Sequence, residues 1–257
     1  MDQCLGRPHR IDLLKQAPWL LAAVGEIESG RRVVLDSAET RHAAGALRLR
    51  SGDPVVLTDG AGCVASGTIA LSGRAAAEVV VHDVDNRPLP TSDLVMAVAV
   101  LAGAAMDLVV QKTVELGVKR LVPVCCERSQ MGPKRAATRI DHWHRVSRQA
   151  LKQCHRAWAM ELAPPTTLTA LVNDPAIAHG ILAHPDGGTI DELPPGRVGP
   201  LLIGPEGGFT PDEEGVLEDE GWPRVRLGRY VLRAETAAIA GAAVFSFHRE
   251  GLHSTDV

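Results

Sequence analysis

Aromatic residues are scarce in this chain, at 3% of 257 positions, and it carries neither an internal repeat nor a low-complexity segment. A repeat array is thereby excluded. Long hydrophobic runs are also missing. The longest, "LVMAVAVLAGAAM" (Leu94–Met106), falls short of the ~20 residues that a membrane-crossing helix requires. The stretch "WLLAAVG" is cut off by Glu26 and has no signal-peptide flanks, so a cytoplasmic protein with no membrane partner is expected. Five cysteines without CxxC spacing exclude a disulfide framework and a zinc ribbon, and suggest a reducing compartment. The adjacent Cys125 and Cys126 read as strand packing. His142 and His144 flank Trp143 without completing a ligand set, so no metal is expected. Positive charge is not in excess either. A formal charge of −4 excludes a globally basic nucleic-acid binder and leaves room only for a local basic face. Finally, no GxxxxGK[ST] occurs and no GxGxxG follows a strand, which removes the main support for the usual nucleotide folds.

What is present divides into two patterns. The length and an apolar content of 45% suit one large domain or two smaller ones. In the first third, "RRVVLDS", "DPVVLTDG", "GTIALSG" and "AAAEVVVHDV" are short β-branched runs separated by Gly, Asp and Ser turns, as in a small barrel or sandwich. "DVDNRPLPTSD" (Asp83–Asp93) reads as a linker. Beyond it, strands alternate with helices. "LVMAVAVL" has the continuous apolar character of a strand buried on both faces. Met106, Val109, Val110, Thr113 and Leu116 then repeat at helical spacing, with Gly117 as a C-cap. "RLVPV", "ILA" (Ile181–Ala183), "LLI" (Leu201–Ile203) and "VRL" (Val225–Leu227) supply further strands. The fold class is α/β with a largely parallel sheet.

Three strand ends carry unusual loops: "LAHPDGG", "IGPEGG" and "LGRYVLRAETA". A single glycine turn would be an ordinary connection, but three at one sheet edge favour a ligand site. After "GPEGGF", Thr210 as N-cap, Pro211 at N1 and Glu213 at N3 predict a helix start with a capping box. A glycine loop before a helix usually holds a phosphate, yet Glu206 stands where that anion would go. Glu206 therefore either meets a cation or hydroxyls, or organises its own turn. Arg233 is a candidate functional cation, with a salt bridge to Glu235 as the alternative. The Ala/Gly-rich run after it suits close helix packing, internal or between subunits. A helix from about Arg139 to Glu161 places Ile140, Trp143, Ser147, Ala150, Cys154 and Trp158 on one side and Arg145, Arg148, Lys152 and Arg156 on the other. That second face is almost free of acids and is read as a phosphate-backbone contact.

Taken together and in order, "IGPEGGFTPDE" and "LGRYVLRAETA" resemble the paired signature of the RsmE-type methyltransferases. "QKTVELGVKRLVPVCCERSQ" (Gln111–Gln130), "QALKQCHRA" and "RHAAGALRLRSGD" with "LTDGAG" are similar to further stretches of that family, and the likeness covers nearly the whole chain from about residue 30. The resemblance implies a trefoil-knotted α/β domain of the SPOUT class, here at 92–257. A small PUA-like β-barrel at 21–85 would precede it, after a 1–20 extension of unknown role. It implies S-adenosylmethionine as cofactor, N3 of a uridine in 16S ribosomal RNA of the small subunit as target, and a homodimer. Methylation of another RNA position, or a non-catalytic RNA-binding paralogue, are the alternatives. The implied cofactor residues are Leu182, Ala183, His184, Gly204, Pro205, Glu206, Gly207, Gly208, Leu227, Gly228, Leu232 and Arg233. RNA contacts fall to Arg41, His42, Arg48, Arg128, Arg145, Arg148, Lys152 and Arg156. A cation stabilising the deprotonated uracil is assigned to Arg233 or Arg156, and the base to Glu206, Glu235 or water. The chain departs from the family pattern at "AGAAMD" (Ala102–Asp107), which lacks a lysine, at Lys152–Gln153 in place of a Glu–Gln pair, at Met160 in place of a proline, and at Tyr230.

Overall fold

Alternating apolar and polar positions, punctuated by glycine turns, build the first of two units in this computed structural model. The structure describes residues 16–72, 76–90, 93–175, 177, 179–193 and 199–253. Residues 1–15, most of the extension set apart on sequence, lie outside the described residues. The first unit comprises the chain up to Pro90 together with Leu151–Ala159; the second comprises Thr91–Ala150 and the chain from Met160 on.

The first unit holds β1 (Trp19–Leu21), β2 (Arg32–Val34), α1 (Ser37–Arg41), β3 (Pro54–Thr58), β4 (Cys63–Ser72) and β5 (Ala76–Asn86). They form one five-stranded sheet in the order β1-β3-β4-β5-β2. All pairs are antiparallel except β1 with β3. Val33, Val55, Leu57, Ile69 and Val79 form the core of the unit, while Val56 and Val64 are buried in a smaller cluster of their own. β1 spans the boundary at 20/21 that the sequence reading set between an extension of unknown role and the first domain. Leu20 is fully buried among the core residues, and Trp19 pairs with Val56.

The Leu151–Ala159 segment belongs to this unit because its side chains are satisfied there. Lys152 Nζ lies 2.6 Å from Glu39 Oε1, and both residues are buried. Glu39 Oε2 accepts the Leu21 N–H at 3.2 Å. The Trp158 indole N–H donates to the carbonyls of Arg87 and Pro88. Trp19 and His155 stack at 5.0 Å between centroids and 7° between planes.

The second unit contains β6 (Val95–Ala99), α2 (Gly103–Glu115), β7 (Arg120–Cys125), α3 (Pro133–Ala137), α4 (Ile140–Gln153), β8 (Glu161–Leu162), β9 (Thr166–Thr167) and α5 (Leu168–Val172). The chain continues through β10 (Ile181–Gly188), β11 (Leu201–Ile203), α6 (Pro211–Asp219), β12 (Arg224–Val225) and α7 (Ala234–His253). Its seven-stranded sheet is parallel throughout, in the order β12-β10-β11-β6-β7-β8, with β9 also on β7. β6, β7 and β11 are buried nearly end to end, as a sheet covered on both faces requires. α2 ends where expected, with Gly117 at φ 79°. α7 packs on α2 and β11. The Ala/Gly-rich run is thus accounted for on one side by internal packing: a methyl group on Gly241 would run into Leu201 and Leu227.

α4 is shorter than its sequence suggests. It stops at Gln153, and His155 adopts φ 60° while the Arg156 N–H bonds back to the Leu151 carbonyl at 3.1 Å. This is a left-handed helix stop, so the helical wheel does not extend to Arg156 or Trp158.

Candidate functional site

The carboxyl ends of β10, β11 and β12 open onto a cavity of about 820 Å³, within the range of small-ligand sites. The β11 loop is a tight turn: the Gly208 N–H bonds to the Pro205 carbonyl at 2.9 Å, which puts Glu206 and Gly207 at its corner. Gly208 has φ 69°, a conformation that side chains disfavour. Gly204 has no room for one, since an added Cβ would stand 2.6 Å from the buried Phe209 ring. Thr210 then caps α6. Its Oγ1 accepts the Glu213 N–H at 3.3 Å while Glu213 Oε2 accepts the Thr210 N–H at 3.0 Å, the capping box read from sequence.

Of the residues assigned to the cofactor, Ala183, His184, Gly204, Pro205, Glu206, Gly208, Leu227, Gly228, Leu232 and Arg233 line this one cavity. Leu182 and Gly207 do not. Leu182 is 1% exposed and packs in the core, because successive strand residues face opposite ways and its neighbour Ala183 takes the cavity side. Gly207 is turned toward Arg128, whose Nη1 donates to its carbonyl at 3.0 Å.

Sequence reasoning passed over Phe209, Arg226, Val231 and Ala105, which also line the cavity. Three of them flank or interrupt the quoted motifs, so position beside a motif was the available signal. Tyr230 and Val231 are 76% and 81% exposed.

The charges around the cavity are mixed. Glu206, Glu214 and Glu235 stand against Arg128, Arg226 and Arg233. Such a set offers no concentrated cationic cradle for a polyphosphate and suits a ligand carrying both signs. Glu206 and Arg233 are exposed, and neither has an ion-pair partner among the described residues. Arg233 and Glu235 are therefore not tied to each other, and both reach the cavity wall. His184 Nδ1 accepts the Asp186 N–H at 3.2 Å.

The remaining assigned residues lie elsewhere. Arg156 is not among the residues lining the cavity; it sits half-buried in the first unit, where burial lowers its pKa. Arg41, His42 and Arg48 sit together around α1 and the wide turn after it. Arg145 and Arg148 are exposed on α4. Lys152 does not share that exposed face: it is 5% exposed and paired with Glu39, so it has no charge to offer a phosphate. Cys126 is held as a thiol, its pKa pushed up to about 12 by burial, which leaves it a packing residue.

Residues 87–246 match the RNA methyltransferase domain family. The chain belongs to that family, within its RsmE type. It is 28% identical over 223 residues to ribosomal RNA small subunit methyltransferase E of a Synechocystis strain, covering 82% of this chain and 71% of the relative. Its identity to the Aquifex aeolicus enzyme of the same name is 29% over 168 residues, 63% of this chain and 71% of the relative. Among solved structures, ribosomal RNA small subunit methyltransferase E of Neisseria gonorrhoeae, bound to S-adenosyl methionine, superposes with a TM-score of 0.80 at 26% identity. That match covers 90% of this chain and 98% of the other.

Proposed function

We propose that this RsmE-type chain is an S-adenosylmethionine-dependent methyltransferase that methylates N3 of a uridine in 16S ribosomal RNA of the small subunit. The observation that carries the reading is the cavity at the ends of β10–β12, built from glycine turns and charges of both signs in a chain of this family. Its residues fit the cofactor: backbone of the two glycine turns can approach an adenine closely, carboxylates suit ribose hydroxyls and a cation, and no phosphate has to be held.

When bound, the cofactor supplies a methyl group on a positively charged sulfur. The chain's part is to position the groups and to manage one proton. Gly204, Gly208 and Gly228 allow close backbone approach, and Phe209 floors the loop. Arg233 stands at the cavity wall with its guanidinium uncommitted, suited to the oxygen where charge collects when uracil N3 loses its proton. Of the three carboxylates in the same wall, Glu214 is paired with Arg224 at 3.0 Å, which leaves Glu206 and Glu235 for that proton. Arg41, Arg48, Arg145 and Arg148, exposed and without ion-pair partners among the described residues, serve as phosphate contacts.

The finer architecture follows the same reading. The five-stranded first unit serves as the PUA-like RNA-binding barrel. The strand order β12-β10-β11-β6, with the chain then returning to lay α7 on β11 and α2, supports the trefoil knot. Exposed Tyr230, Val231 and Phe247 support a homodimer that covers them. No described helix is long and apolar enough to cross a membrane, and the site of action is the cytoplasm.

Calorimetric titration with S-adenosylmethionine tests the cofactor. Micromolar binding that is lost in Glu206→Ala/Arg233→Ala is expected; a well-folded protein that takes up none overturns the assignment. Mapping of methyl-uridine in small-subunit RNA after incubation then tests the target, and a methyl group on any other atom refutes the N3 claim.

A further inference from the structure

The glycine loop after β11 has few means of holding its own shape. Gly207 and Gly208 contribute no side chain, and the carbonyls of Gly207 and Phe209 belong to no helix or strand. Both carbonyls accept from one nitrogen, Arg128 Nη1, at 3.0 and 3.1 Å. Arg128 comes from the loop after β7, which is separated from β11 in the sheet by β6. The contact therefore stitches together two loops that are not neighbours in the sheet. Its aliphatic stem is seated on the turn as well: a Cβ on Gly207 would stand 3.4 Å from Arg128 Cβ and 3.5 Å from its Cδ.

A second stitch joins the same two loops one residue away. The Glu127 N–H donates to Glu213 Oε1 at 2.8 Å, while Oε2 of the same carboxylate closes the α6 capping box. The loop is thus gripped at the carbonyls of Gly207 and Phe209 and, at its exit, through Thr210 and Glu213. Both bonds leave one nitrogen, whose two N–H groups the planar, permanently charged guanidinium holds in fixed directions; the shorter, freely rotating ammonium of lysine does not reproduce that.

We infer that Arg128 is a positioning residue that fixes the cofactor loop, with Glu213 as its counterpart, and that its role is not RNA contact. The inference rests on the cavity being the S-adenosylmethionine site. It makes the loop after β7 part of the cofactor site although only Arg128 of that loop reaches the cavity wall.

The test compares the full-length wild-type protein with Arg128→Ala, Arg128→Lys and Glu213→Gln. Each is measured for calorimetric affinity for S-adenosylmethionine, for melting temperature without cofactor, and for affinity to unmethylated small subunits across a salt series. Arg128→Ala is expected to weaken cofactor binding at least tenfold while subunit affinity and its salt dependence stay at wild-type values. Arg128→Lys and Glu213→Gln fall between. If Arg128→Ala fails to fold, Arg128→Lys, which keeps the charge but loses the reach and fixed plane of the guanidinium, carries the same comparison. Wild-type uptake of cofactor with Arg128→Ala and Arg128→Lys both unchanged overturns the inference alone, as does a loss of subunit affinity with cofactor binding intact. A wild-type protein that takes up no cofactor overturns the underlying assignment and this inference with it.

Discussion

Lys152 shows what a helical wheel misses at the scale of one residue. By periodicity it belongs with Arg145 and Arg148. In the fold its ammonium is buried against Glu39, 113 positions away in sequence, a partner that no local pattern reveals. Arg128 is the parallel case: a basic residue in a loop reads as an RNA contact until its acceptors are known to be two carbonyls of the same unit. Removing one member of a buried pair strands the other, so Lys152→Met is expected to cost about 3–5 kcal/mol of stability in urea unfolding. The double variant Glu39→Gln/Lys152→Met, which leaves no unpaired charge and keeps an acceptor for the Leu21 N–H, is expected to recover most of it. Beside this pair, burial first and Lys152 second depress the pKa of His42 below its ordinary 6.5. A depressed folded-state pKa gives stability that is present above 6.5 and lost as pH falls through the folded value. The urea midpoint should therefore fall as pH drops below about 6.5, and His42→Gln should flatten that slope.

At the scale of the element, ends marked by a residue type were legible, the stop of α2 at Gly117 among them, and an end without such a marker was not. Thr210, Pro211 and Glu213 declare the beginning of α6 by residue type alone, and the structure closes the capping box as expected. The end of α4 carries no glycine or proline. It is set by His155 in a left-handed conformation, a geometry that the stack on Trp19 helps to hold and that composition does not announce. α1 went unread because five residues are too few for periodicity to register. Strand alternation likewise explains why Ala183 lines the cavity and Leu182 does not, although a motif read as a contiguous string treats them alike. Thr210→Ala removes the hydroxyl half of the box and is expected to cost about 1 kcal/mol in thermal or urea unfolding. Glu213→Ala should cost more, because the same carboxylate also holds the Glu127 N–H.

For the whole molecule, the change in hydrophobic period near residue 90 coincides with the division into a β unit and a parallel α/β unit, and the three glycine-rich strand ends lie at the edge that opens onto the cavity. The assignment of Leu151–Ala159 to the first unit was not readable in the sequence, because it depends on side-chain partners distant along the chain. With a net charge of −4, and with Arg41, Arg145 and Arg148 unpaired among the described residues, the proposed RNA affinity would be a matter of local neutralisation. Arg145→Ala/Arg148→Ala is expected to weaken subunit binding and to flatten the plot of log affinity against log salt by about one unit per arginine. Calorimetric uptake of S-adenosylmethionine should be unaffected.

The twofold visit of the chain to its first unit also sets an order of events during synthesis. When Pro90 leaves the ribosome, Glu39 still lacks its lysine and the carbonyls of Arg87 and Pro88 lack their indole, because Lys152 and Trp158 have yet to be made. At typical elongation speeds the 69 residues from Pro90 to Ala159 (159 − 90) take roughly 3–14 s. The first unit is therefore complete only once Ala159 has followed Pro90 out, and a nascent chain stalled in that interval would carry the Glu39 carboxylate still awaiting its counter-ion.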